Sequence, residues 1–145
     1  MSKTSFVYVT YIRATPDAVW QAITDADFSG RYWGHSNVSD WSVGAPWEHR
    51  RLDASKKVDL VGTVIESEPL RRLVITWAFP GDIEEPAKVS RVAFDIETHK
   101  DDMVRLTVSH TELEPGGEME RGITEGWPIV LSSLKSFLET GKGLI

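Results

Sequence analysis

The C-terminal part of this 145-residue chain carries a long amphipathic pattern, which constrains the fold more than any other feature. Its apolar residues recur at spacings of three and four: Met119, Ile123, Trp127, Val130, Leu131, Leu134, Phe137 and Leu138. This spacing predicts a long helix with one apolar face, ended by Gly141 as a C-cap. Pro128 removes one backbone donor from this helix, so the helix either kinks there or begins near Gly126.

Hydrophobicity alternates with a period of two through the first strand and the middle of the chain, which is the pattern of β-strands with one buried face. We predict strands over residues 6–12, 47–52, 58–66, 73–79, 91–97 and 104–110. Because most of these strands are grouped rather than interleaved with helices, they predict an α+β fold with a mainly antiparallel sheet. The long helix is the element that can cover the apolar side of this sheet.

Two short helices are predicted directly after the first strand. Thr15 can cap the first helix, and Pro16 suits its first helical position. This helix should end near Thr24, where Asp25 can cap a second short helix that runs towards Trp33.

The composition excludes several classes of protein. The sequence contains no Cys, which rules out disulfide scaffolds, zinc ribbons and thiol nucleophiles. Its 16 Lys and Arg against 22 Asp and Glu give a net charge of −6, which argues against nucleic-acid binding. No apolar run reaches the roughly 20 residues that span a bilayer, and the N-terminus lacks the apolar stretch of a signal peptide. We therefore expect residues 1–145 to form a single, soluble and cytoplasmic domain.

The titratable residues give little sign of a catalytic or metal site. No His pair has the spacing of a helical zinc site, so we expect neither a metal nor a cofactor. His49 and His99 are expected on the surface, and Asp95 and Glu97 on the outer face of their strand. His110 continues an apolar strand face, so it either contacts a ligand or is a core His satisfied by the backbone.

Four segments carry a resemblance to a known family. Residues 15–25 (TPDAVWQAITD) and 126–141 (GWPIVLSSLKSFLETG) resemble the opening and closing motifs of one group in the SRPBCC (START / Bet v 1-like) superfamily. Residues 61–64 (VGTV) and 73–77 (LVITW) are similar to strands of the same group, which is related to the C-terminal domain of Activator of Hsp90 ATPase homologue 1. The resemblance implies a helix-grip fold, in which a curved antiparallel sheet of about seven strands wraps around the C-terminal helix and encloses a cavity.

The lining of this cavity is expected to come from the sheet and the helix. The resemblance places Trp33 and Trp47 at the mouth, and the full expected lining is Trp33, Trp47, Trp77, Phe79, Phe94, Leu106, His110, Trp127, Val130, Leu131 and Leu134. The alternative is that these side chains pack solidly and leave no pocket.

Three functions remain open on this scaffold, since members bind lipids, sterols or polyketides, regulate an Hsp90 chaperone, or act as cyclases and dehydratases. The first hypothesis is a carrier or sensor that binds a small apolar molecule. The second is a module that modulates an Hsp90-type chaperone partner, although Hsp90-activating members carry an additional N-terminal domain that we expect to be missing here. The third is a cyclase- or hydrolase-like enzyme, which would need two titratable side chains within hydrogen-bond reach inside the cavity.

Overall fold

A seven-stranded antiparallel sheet forms most of the molecule. The structure is a computed structural model and describes residues 2–145. Its strands are β1 (Thr4–Ile12), β2 (His35–Val38), β3 (Pro46–Arg51), β4 (Val58–Glu68), β5 (Arg72–Trp77), β6 (Ser90–His99) and β7 (Met103–Leu113). Their order across the sheet is β1-β7-β6-β5-β4-β3-β2. Its helices are α1 (Pro16–Thr24), α2 (Ala26–Trp33) and α3 (Glu118–Thr140). This arrangement confirms the predicted α+β helix-grip fold.

The curvature of the sheet has a local cause in its strand pairing. The register shifts between β1 and β7, between β3 and β4, and between β4 and β5. Each shift adds a residue to one strand, which bends that strand and increases its twist. The bent sheet presents a concave face to α3, and the hydrophobic core lies between the two.

The two short helices form where the capping residues predict them. Thr15 Oγ1 accepts a hydrogen bond from the Ala18 amide at 3.1 Å, which caps α1. Asp25 Oδ1 accepts from the amides of Asp27 at 2.9 Å and Phe28 at 3.0 Å, which caps α2. Helix α2 packs against strand β2, and α1 contacts α2 and β6.

Helix α3 is continuous over 23 residues and includes Pro128 in its interior. The alternative that the helix begins near Gly126 is therefore wrong. The helix starts at Glu118 because its first two turns also bury an apolar face, including Ile123. That burial outweighs the single backbone hydrogen bond that Pro128 removes.

Two details of the sheet differ from the prediction. The strand predicted over 73–79 ends at Trp77; Ala78 makes one more bridge to Val61, and the 3-10 turn Pro80–Asp82 follows with Phe79 as its N-cap. The short strand β2 carries the sequence HSNV, which lacks a strong strand pattern and was not predicted at a defined position. Asp95 and Glu97 face outwards, as the alternation predicts, and Asp95 accepts a hydrogen bond from Arg72 at 2.6 Å.

Within residues 2–145, no helix is both long enough and apolar enough to cross a membrane.

Candidate functional site

A cleft of about 360 Å³ lies between the N-terminal half of α3 and strands β3 to β5. It opens to solvent, and most of its surface is apolar. Its lining comes from α2, the sheet and α3: Trp33, His35, His49, Asp59, Leu60, Trp77, Phe79, Glu118, Met119, Gly122, Ile123, Gly126, Trp127 and Val130. This volume falls at the lower end of the range for small-molecule sites.

Three tryptophans from three different elements form the inner wall of the cleft. Trp33 ends α2, Trp77 ends β5 and Trp127 lies in the middle of α3. The ring centroids of Trp77 and Trp127 are 5.4 Å apart, and that of Trp33 is 5.5 Å from Trp127 and 6.3 Å from Trp77. Each ring therefore contacts the other two and fixes its orientation, which leaves a rigid aromatic surface towards the cleft.

Two glycines keep the opposite wall of the cleft open. Gly122 and Gly126 share one face of α3 with the other lining residues Met119, Ile123 and Val130, at spacings of three and four. A Cβ atom built on either glycine would meet no atom within 4 Å. Glycine within a helix costs about 1 kcal/mol relative to alanine, so this pair lowers stability while it preserves space.

The outer edge of the cleft is polar. Nε2 of His35 donates to Oδ2 of Asp59 at 2.9 Å, and Nε of Arg51 donates to the same oxygen at 2.8 Å. Hydrogen bonds from Arg51 and His35 hold the pKa of Asp59 at about 2, so this carboxylate is ionised at neutral pH. Since His35 and Asp59 both line the cleft, two titratable groups lie within hydrogen-bond reach inside it.

His49 is buried next to this edge, and the expectation that it lies on the surface is wrong. It follows Trp47 by two residues in β3, so the period of the strand turns both side chains inwards. Its Nδ1 lies 2.7 Å from Oδ1 of Asn37, whose Nδ2 donates to the Ile23 carbonyl at 3.0 Å. Because Oδ1 of Asn37 can only accept, Nδ1 of His49 carries the proton of this hydrogen bond.

The His49 ring is kept neutral by its surroundings. Burial, with a smaller contribution from the charge of His35, lowers the pKa of His49 to about 3. The two imidazoles stack with centroids 4.4 Å apart and planes 3° apart. With Nδ1 protonated and the ring neutral, Nε2 of His49 carries an unprotonated lone pair.

His110 lies inwards as predicted, but both of its ring nitrogens are occupied. Nδ1 accepts from Nε1 of Trp127 at 3.0 Å, and Nε2 donates to Oγ of Ser90 at 2.7 Å. Ser90 in turn donates to the carbonyl of Trp77 at 3.0 Å. Side chains rather than the backbone therefore satisfy this buried His, and burial lowers its pKa to about 3.

The chain matches a family model over residues 13–139, and the family is described as Activator of Hsp90 ATPase homolog 1-like protein. The chain belongs to this AHSA1 family. No curated protein matches the sequence.

Several solved structures share the fold of this AHSA1 domain. Protein MLL2253 from Mesorhizobium loti is 22% identical, with a TM-score of 0.76 over 94% of this chain and 97% of that one. The Aha1 dimer from Colwellia psychrerythraea is 21% identical, with a TM-score of 0.78 over 97% and 99% of the two chains. PFC0360w, an HSP90 activator from Plasmodium falciparum, is 22% identical, with a TM-score of 0.69 over 85% and 86%.

The residues that the sequence proposed for the cavity of this AHSA1 domain fall into two groups. Those that line the cleft are Trp33, Trp77, Phe79, Trp127 and Val130. Those in the buried core outside the lining are Trp47, Phe94, Leu106, His110, Leu131 and Leu134. The concavity of the sheet is thus filled at one end of α3 and open at the other.

Trp47 shows why part of the expected lining is closed. Its indole crosses Gly62 of the intervening strand β4, and Nε1 donates to the Thr76 carbonyl at 2.7 Å. A Cβ atom on Gly62 would lie 1.9 Å from the Thr76 oxygen and 2.4 Å from Nε1 of Trp47. The glycine of the VGTV segment therefore allows this indole to pack against the sheet instead of lining the cleft.

The sequence reasoning missed the polar edge and the glycines of the cleft. For His49, the signal was its period-two relation to Trp47, which places both on the inner face. For Gly122 and Gly126, the signal was that two glycines share one face in the interior of a helix, where neither can serve as a cap.

Within residues 2–145 no group of three or more His, Asp or Glu is arranged to hold a metal ion.

Proposed function

We propose that this AHSA1 domain binds a small apolar molecule in the cleft between the sheet and α3. The observation that carries the proposal is an open, mostly apolar cleft of about 360 Å³ with a rigid wall of three tryptophans. An engineered apolar cavity of about 150 Å³ is enough to bind benzene, so this cleft has room for roughly two such rings.

The two helix glycines support a binding role over incomplete packing. Alanine at Gly122 and Gly126 would remove the helix penalty of glycine, about 2 kcal/mol in total, without steric conflict. Glycine at both positions therefore sacrifices stability for volume on the face that borders the cleft. Apolar surface buried by a ligand there would contribute about 25 cal/mol per Å² to binding.

The test fills the cleft from the helix without disturbing the core. Gly126→Leu places a side chain in the open space, and the apolar fluorophore 1-aminoanthracene reports binding by its emission. We expect wild-type protein to bind the fluorophore and Gly126→Leu to bind it at least tenfold more weakly. The unfolding free energy of the variant should not fall, because leucine is a better helix former than glycine.

A matched control uses the exposed neighbour on the same helix. Glu125→Leu adds the same side chain outside the cleft and should leave fluorophore binding unchanged. Equal binding by wild type and Gly126→Leu would show that the fluorophore occupies another place. Native mass spectrometry of gently purified protein would then identify any co-purifying apolar molecule directly.

A second function is favoured by the family itself. The family model names an activator of Hsp90 ATPase, and one similar structure is an HSP90 activator. We propose modulation of an Hsp90-type chaperone as the alternative role of this domain. The test is the ATPase rate of an Hsp90 homologue with and without the domain, and no change at micromolar protein would remove this role.

The third possibility, a cyclase- or hydrolase-like reaction, is favoured by the His35–Asp59 pair alone. This pair meets the requirement for two titratable groups in hydrogen-bond contact, and Asp59 could orient His35 as a base. Asp59 also pairs with Arg51 and stays ionised, so it supplies no acid at neutral pH. We therefore place binding ahead of catalysis.

A further inference from the structure

One nitrogen at the edge of the cleft has no protein partner. Within residues 2–145, His49 makes a single side-chain hydrogen bond, through Nδ1. No fully buried side-chain nitrogen or oxygen in that part of the chain lacks a partner, so Nε2 of His49 must keep accessible surface. His49 is only 4% exposed and lines the cleft, so this surface opens into the cleft.

The free nitrogen can only accept a hydrogen bond. Asn37 fixes the tautomer of His49, and the ring's pKa of about 3 keeps Nε2 unprotonated at physiological pH. An acceptor in a mostly apolar cleft favours a ligand that carries an O–H or N–H group at the matching place. A ligand without such a group would leave the acceptor dehydrated and unpaired, which costs binding free energy.

The charges around the cleft disfavour acidic ligands. Among the described residues, its lining includes two carboxylates, Asp59 and Glu118, and no Lys or Arg. Arg51 offsets the charge of Asp59, while Glu118 makes no ion pair within residues 2–145. A ligand carboxylate would therefore enter a mostly apolar site in which the imidazole of His35 already donates to Asp59, which is unfavourable.

We propose, as an extension of the binding function above, that the cleft selects neutral, flat aromatic molecules that carry a hydroxyl group. The ring system stacks on the wall formed by Trp33, Trp77 and Trp127, and the hydroxyl donates to Nε2 of His49. This assigns the orienting polar contact to His49, since His110 has both nitrogens occupied within the core.

The test compares three probes that share one two-ring body. These are 2-naphthol, 2-methylnaphthalene and 2-naphthoate, each measured by equilibrium dialysis against wild-type protein at pH 7. We expect 2-naphthol to bind about tenfold more tightly than 2-methylnaphthalene, as one hydrogen bond predicts. Binding of 2-naphthoate should be the weakest of the three.

The probe series separates the two proposals. Apolar burial alone would make the methyl compound bind at least as tightly as the naphthol, because a methyl group is more hydrophobic than a hydroxyl. That result would overturn the hydroxyl selection and leave the binding function intact. Failure of all three probes, together with failure of 1-aminoanthracene, would overturn the binding function itself.

Substitution of each edge histidine identifies the acceptor. His49→Phe keeps a flat ring but removes Nε2, so the preference for 2-naphthol should disappear while affinity for 2-methylnaphthalene stays. His35→Phe, a matched change in the stacked neighbour, should keep the preference, because Asp59 retains Arg51 as a partner. Loss of the preference in His35→Phe alone would overturn the assignment to His49. If His49→Phe does not fold, the wild-type probe ratios still decide the selection.

Discussion

The two halves of α3 meet the sheet in different ways. In the C-terminal half, Leu131, Ser133 and Leu134 are at most 2% exposed, and Oγ of Ser133 donates to the Tyr32 carbonyl at 2.6 Å. In the N-terminal half, Gly122 and Gly126 leave space that no side chain fills. One helix therefore completes the core at one end and leaves a cleft at the other.

The two inward histidines show the same difference. His110 lies in the core behind the cleft wall, where a chain of hydrogen bonds runs from Trp127 through His110 and Ser90 to the backbone of Trp77. His49 borders the open region and keeps one nitrogen free. Fold and site are thus built from the same residue types, and local packing determines which residue is structural and which can meet a ligand.

The largest effect should come from truncating matched side chains in the two regions. Leu134→Ala and Ile123→Ala each remove three carbons from α3. Leu134 is fully buried, so its truncation leaves a cavity and should cost about 3 kcal/mol of unfolding free energy. Ile123 borders the cleft, so its vacated space joins an existing opening, and the cost should be about half as large. Urea denaturation measures both, and equal losses would contradict the division of the helix.

Local signals explain why the fold could be predicted from the sequence. Thr15 and Asp25 cap their helices through contacts within three residues along the chain, and the apolar spacing of residues 119–138 defines the face of α3. Strand β2 lacked such a signal. Its four residues pair with β3, and that pairing rather than intrinsic preference defines them as a strand.

The site was less predictable because its contacts depend on strand register. His35 meets Asp59 across 24 positions of sequence, since β2 pairs with β3 and β3 pairs with β4. The register of β3 with β4 shifts at a bulge between His49 and Arg50, and this bulge sets which residues face one another. No local sequence pattern predicts the bulge. Whether an aromatic residue fills the core or lines the cleft depends likewise on Gly62, through its contact with Trp47.

Acidification should weaken the fold through the two buried histidines. In the unfolded chain they bind protons near their ordinary pKa of 6.5, whereas burial lowers the folded pKa of both to about 3. The unfolded state therefore binds more protons below pH 6.5, and stability falls as the pH falls towards 3. Between pH 6.5 and 5 we expect a loss of about 1.5 kcal/mol for each histidine, measured by urea denaturation at several pH values.

The variant His110→Gln separates the contribution of His110 to this pH dependence from that of His49. His110→Gln removes one titrating group, so the loss between pH 6.5 and 5 should fall by about half, although the variant starts from a lower stability. Most carboxylates stay ionised across this window and add little to the slope. A slope unchanged in His110→Gln would mean that His110 is protonated in the folded state as readily as in the unfolded chain.

The smallest effect is also the one with the opposite sign. Gly122→Ala and Gly126→Ala should each raise the unfolding free energy by about 1 kcal/mol, because alanine favours the helix and its Cβ meets no neighbouring atom. Gly81→Ala, at an equally open position in the 3-10 turn Pro80–Asp82, tests whether the gain depends on a regular α-helix and should give a smaller change. Thermal denaturation of all three variants measures the gain. If the helix variants lost stability, the space beside them would have to be occupied in the folded protein, and the open half of α3 would be as closed as the other.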